Sequence, residues 1–100
     1  MRGKIPKWNG RPAQSIVHAT VYTANSGTIA SGAESGDIVV AHTLGVVPNE
    51  TIVGLPQDGS WAHQFGIRKG STWSSTQVSF RFKNNGPNSG TCVLKYQLVT

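Results

Sequence analysis

The sequence predicts an all-β protein: a small antiparallel β-sandwich or jelly roll of six to eight strands, preceded by an extended N-terminal arm. Three observations lead there. The 12 glycines and 5 prolines cut the 100 residues into short stretches. Those stretches are rich in β-branched and aromatic residues, and none has helical periodicity. Two of them alternate apolar and polar side chains with the period of two that gives a strand one dry and one wet face.

Taken in chain order, residues 1–14 read as the arm and residues 15–100 as the sandwich domain. The arm carries Arg2, Lys4, Lys7 and Arg11 with no acidic residue, and Gly3, Pro6, Gly10 and Pro12 disfavour regular structure there. A first strand is expected over residues 16–23. Residues 25–36, crowded with Ser, Gly and Ala, read as a long loop with room for one short edge strand. Strands are then expected over residues 37–43, with Ile38 and Val40 inward, over 51–55, with Val53 and Leu55 inward, and over 61–69, with Trp61, Phe65 and Ile67 inward. Asp58-Gly59 is a favoured type I′ dipeptide and suggests a hairpin between the last two of these.

The clearest strand follows, where Val78, Phe80 and Phe82 alternate with Ser79, Arg81 and Lys83. Cys92, Leu94, Tyr96 and Leu98 alternate with Val93, Lys95 and Gln97 to make the closing strand, and the Gly- and Asn-rich residues 84–90 form the loop between the two. Neighbouring strands are expected to pair as antiparallel hairpins, and a small barrel is the alternative closure. The chain has room for one core only.

Charge is concentrated at one end. Of a formal net charge of +5, four charges lie in the first eleven residues, so the body is almost neutral with five basic and four acidic groups. The arm therefore reads either as a solvated terminus or as an anchor onto an acidic partner surface or nucleic acid. The first residues contain no apolar segment of a secretory leader, and no run approaches the roughly 20 apolar residues of a membrane span. A protein without leader or membrane contact is the expectation, which also makes Asn49-Glu50-Thr51 a chance glycosylation sequon.

Little points to catalysis. Glu34, Asp37, Glu50 and Asp58 fall in loops or at strand ends and make no obvious acid–base pair. No Gly-x-Ser-x-Gly elbow or phosphate-loop spacing occurs. His18, His42 and His63 lie on separate predicted strands without a zinc-like partner spacing, so no metal site, cofactor or catalytic residue is expected. The single cysteine, Cys92, reads as a small buried hydrophobe. Phe80 and Phe82 fall on the face opposite Arg81 and Lys83, which argues against a nucleic-acid surface of rings beside cations. Trp61 and Trp73 remain as ligand or interface aromatics, able to stack on a sugar ring or to pack in an interface.

The stretch His42-Thr43-Leu44-Gly45-Val46-Val47-Pro48, entered from a strand and followed by Thr51-Ile52-Val53-Gly54, resembles a His-x-Leu-Gly-x-x-Pro pattern of small β domains in bacteriophage virion surface proteins. The likeness covers residues 15–99 and extends to the Trp-containing middle and the aromatic Tyr96 of the closing strand. Physically, His42 ends a strand, Gly45 permits a tight turn and Pro48 fixes the loop, so His42, Leu44, Gly45 and Pro48 are expected to mark the fold.

The resemblance implies a virion structural protein made in the host cytoplasm. In particular it implies a capsid decoration or cement protein, homotrimeric, whose partners are the major capsid protein or other virion proteins. Arg2, Lys4, Lys7, Trp8 and Arg11 would anchor it. The alternative is a tail or fibre tip module that binds a receptor glycan through Trp61 and Trp73; a nucleic-acid-binding β-barrel is the weakest reading.

Overall fold

The computed structural model describes residues 15–54 and 58–100. The expected arm, with Arg2, Lys4, Lys7, Trp8 and Arg11, lies outside the described residues, as does Leu55. The described chain is all-β: β1 (Tyr22–Ile29), β2 (Ile38–Ala41), β3 (Ile52–Gly54), a one-turn 3-10 helix (Ala62–Gln64), β4 (Phe65–Trp73), β5 (Gln77–Asn84) and β6 (Gly90–Leu98). They form two three-stranded antiparallel sheets, in the orders β1-β6-β3 and β2-β5-β4. The outermost strands pair with each other, β1 with β6, and the next pair likewise, β2 with β5, which is the winding of a jelly roll.

The two strands with the strongest alternation occupy the middle of their sheets. On β5, Val78, Phe80 and Phe82 are buried, and on β6 Cys92, Leu94, Tyr96 and Leu98 are buried. An aromatic ladder crosses the core where these faces meet. Tyr22 stacks on Tyr96 at 5.7 Å, Tyr96 meets Phe80 edge-on at 4.7 Å, and Phe80 meets Trp73 edge-on at 5.9 Å. Such geometries add about 0.5–1.5 kcal/mol per pair beyond area burial.

Several expectations are corrected. The first regular strand lies over Tyr22–Ile29: it keeps only Tyr22 and Thr23 of the expected strand and continues into the stretch read as loop, while over residues 16–21 there is only a single bridge, Val17 to Val99. Small residues fill its inner positions: Ala24 and Ser26 are buried, and the Ser26 hydroxyl accepts from the Cys92 amide at 2.9 Å beside a bulge. Sequence patterning misses such a strand because, beyond Tyr22, its inner positions carry only small side chains. On β3, Ile52 rather than Val53 faces the core, because Ile52 sits opposite Leu98 and Val53 opposite Gln97.

The Asp58-Gly59 pair is not a hairpin turn. Asp58 bridges to Val93, extending the β3 side of β6, and β3 and β4 belong to different sheets. Among the described residues, of the consecutive strands only β4 and β5 form a hairpin, whose turn contains neither Gly nor Pro: the Ser74 hydroxyl instead accepts from the amides of Thr76 and Gln77. Trp61 does not join the inward face with Phe65 and Ile67. It precedes the 3-10 helix in the left-handed region, φ 58° and ψ 29°.

Tyr96 Oη is a buried side-chain polar atom with no hydrogen-bond partner among the described residues, and burial pushes its pKa up. Removing that hydroxyl takes away a desolvated group and no bond. Tyr96→Phe is therefore expected to leave the thermal midpoint unchanged or raise it, as read by circular dichroism; a drop of several degrees contradicts this.

Candidate functional site

The sandwich has two ends of different chemistry. At the first, β2 stops at Ala41 and the chain must leave its sheet, so the groups of the next residues lose their ladder. His42 replaces it. Buried at 5% exposure, it accepts the Leu44 amide on Nδ1 at 3.2 Å and donates from Nε2 to the Ser74 carbonyl at 2.9 Å. Because a backbone amide can only donate and a carbonyl can only accept, these contacts select the imidazole tautomer that carries its proton on Nε2.

The rest of the motif continues the clasp. Gly45, at φ +75°, turns the chain and donates to the Ser75 carbonyl, while the buried Pro48 offers its carbonyl to Trp73 Nε1 at 2.8 Å. Leu44 packs on the core. Thus His42, Leu44, Gly45 and Pro48 come together on the β4–β5 turn.

At the opposite end Asn84, wholly buried, does the equivalent work. Its Nδ2 donates to the Ile29 and Asn88 carbonyls, and its Oδ1 accepts from Gly86 N and Gln64 Nε2. The expectation of a loop here missed this residue, since an Asn beside Asn and Gly reads as turn chemistry. Over this network stands Trp61, 48% exposed, with its ring 5.8 Å from that of His63. Its backbone is closely held: a Cβ at Gly59 would collide with the Thr91 carbonyl, and one at Gly90 with the Ser60 carbonyl.

The two candidate tryptophans do not form one platform. They lie at opposite ends of β4, whose length is roughly 26 Å at the usual rise per residue. Trp73 is half-buried, bonded to Pro48, with Lys69 over its ring at 5.8 Å. It also lines a cleft of about 190 Å³ between the free edges of β3 and β4, with Ile52, Ile67, Phe80, Lys69 and Glu50. That is below the roughly 300 Å³ at which ligand pockets begin. Lys69 points inward from its edge strand and meets Glu50 at 2.6 Å, the placement of a charge that blocks edge-to-edge pairing.

The four carboxylates are all engaged. Besides Glu50, Glu34 binds Arg68 in a bidentate pair, which holds its carboxyl below the usual range. Asp58 lies 3.9 Å from Lys95. Asp37 accepts from the Ser71 hydroxyl and from Arg81, which together bring its pKa down to about 2. Burial pushes the Cys92 thiol above its usual range, the opposite of a nucleophile's tuning. His18 bonds the Thr100 hydroxyl at 2.8 Å. Among the described residues no group of three His, Cys, Asp or Glu could hold a metal. No known protein family, curated protein or solved structure matches the chain.

Two outcomes are expected. His42→Ala leaves the Ser74 carbonyl and the Leu44 amide unpaired, at about 1–3 kcal/mol each, and chemical denaturation is expected to show a loss of that order. For Asp37, the folded pKa near 2 lies below the unfolded value of about 3.9. Its contribution is full above pH ~4 and fades as the pH falls towards 2. Denaturant midpoints of Asp37→Asn are thus expected to lie below those of the parent at neutral pH and to converge with them in acid.

Proposed function

We propose that this chain is a virion structural protein of the bacteriophage type, a homotrimeric capsid decoration module that attaches by its basic arm and the adjoining end of the sandwich. One observation carries the reading: exposed apolar side chains are gathered at the end from which the arm departs. Residue 16 enters beside the C-terminus, with Ile16 N donating to the Thr100 carbonyl and Asn49 N to the Val99 carbonyl. Ile16, Val17, Val21, Val46 and Val47 are all exposed there. Scattered exposed apolar residues need no explanation, but five on adjoining segments make an attachment surface.

The charges agree with this. In the body the acidic groups are consumed by ion pairs, and Arg2, Lys4, Lys7 and Arg11 supply the excess positive charge. An arm of that kind draws the protein to an acidic patch of a capsid subunit, with Trp8 as its apolar anchor, while the valines exclude water at the contact. The His42-x-Leu44-Gly45-x-x-Pro48 motif supports the same assignment, because the loop it clasps carries Val46 and Val47. The jelly-roll winding, a frequent choice of capsid domains, is consistent with it as an analogy of fold. The alternative of a tip module reading a glycan with Trp61 and Trp73 together is less favoured, given their separation along β4.

Deleting residues 1–12 is expected to leave the circular dichroism spectrum and melting temperature intact while lowering occupancy on particles of the cognate virus at least tenfold. Equal occupancy by truncated and full-length protein would refute the role of the arm.

A further inference from the structure

We propose that Trp61 and His63 form a stacking site for a neutral pyranoside at the end of the sandwich opposite the His42 clasp. The inference rests on this end alone and does not depend on the attachment reading. Of the exposed large apolar side chains among the described residues, Trp61 is the one that stands here; the others lie near the C-terminus and the His42 loop or on the outer sheet faces, as Val39 and Val53 do.

Its backbone conformation is the second observation. A bulky residue at φ 58° is an outlier that the fold must enforce. The enforcing contacts are present: Thr91 N donates to the Ser60 carbonyl at 2.9 Å, Gln64 N donates to the Trp61 carbonyl at 3.0 Å, and Gly59 and Gly90 allow the two backbones to touch. The result is a half-exposed tryptophan on a closely held backbone, with its ring 5.8 Å from that of His63. About half of the tryptophan remains accessible, and a ligand that stacks on that face has an aromatic surface already in place.

The chemistry of the surroundings selects the ligand. Residues 30–32, 59–64 and 84–91 build this end and contain no Asp, Glu, Lys or Arg, with Asp58 and Lys83 flanking them; they offer Ser31, Ser60, Asn85, Asn88, Ser89 and Thr91. A nucleic acid would want cations beside the rings, and an acidic peptide likewise. A glucose- or N-acetylglucosamine-type pyranose has equatorial hydroxyls and a flat face of axial C–H bonds. It matches an aromatic ring ringed by neutral donors and acceptors.

The test is a titration of the full chain with N,N′,N″-triacetylchitotriose and with cellotriose, followed through the indole N–H resonances. The expected result is a saturable shift of the Trp61 signal with millimolar affinity for at least one sugar, while the Trp73 signal, tied to the Pro48 carbonyl, stays in place. Trp61→Asn keeps a residue that tolerates the left-handed region; it is expected to melt within a few degrees of the parent and to bind about tenfold more weakly. No shift with either sugar into the tens of millimolar overturns the proposal. So does equal binding by Trp61→Asn, or a Trp61 shift produced only by a single-stranded oligonucleotide and lost steeply with salt. The titration of the unaltered chain decides the matter even if the variant fails to fold.

Discussion

The fold depends on how its crossings between sheets are held. Four of the five connections between consecutive strands pass from one sheet to the other, and every crossing takes backbone amides and carbonyls off a ladder. A small sandwich has little depth in which to hide such groups, and each one left unpaired away from water costs about 1–3 kcal/mol. Two buried polar side chains answer this at the two ends. His42 joins the crossing after β2 to the β4–β5 turn, and Asn84 joins the crossings after β1 and β5 to the 3-10 turn before β4. The aromatic ladder from Tyr22 to Trp73 fills the space between these clasps, and it ends at the His42 loop through the bond from Trp73 to Pro48.

This arrangement makes the ends rigid and leaves them free to differ. The end where residue 16 lies beside Thr100 shows aliphatic side chains, with Val46 and Val47 on the loop held by the His42 clasp. The other end shows an indole above an amide network. The residues around it, Ser31, Ser60, Asn85, Asn88, Ser89 and Thr91, are polar. The cleft between the β3 and β4 edges is instead lined by the Lys69–Glu50 ion pair, charges that disfavour pairing of these edges with another strand.

Strands whose dry face is large and apolar were readable from the residues. Alternation identified β5 and β6 with the correct faces, because Phe80, Phe82, Leu94 and Tyr96 each declare an inward direction. β1 was hidden, since its buried positions are Ala24 and Ser26 and its energy comes from pairing with β6 and from the Ser26 bond to Cys92. The β4–β5 turn was hidden because Ser74 makes it without Gly or Pro. Of the candidate site, the motif residues were found together, and their role as a fold marker has a physical basis in the clasp. What Asn84 does required the third dimension: four of its contacts come from segments 29, 64, 86 and 88, and a local pattern contains no trace of the most distant of them.

The clasp at His42 can be examined at the level of a single proton. A long-range proton–nitrogen correlation spectrum of the imidazole reads which ring nitrogen bears hydrogen. The contacts to Leu44 and Ser74 require the Nε2–H tautomer, with Nδ1 showing the shift of an unprotonated acceptor. An Nδ1–H tautomer would mean that neither bond exists as described, and that the crossing after β2 is held by something other than His42.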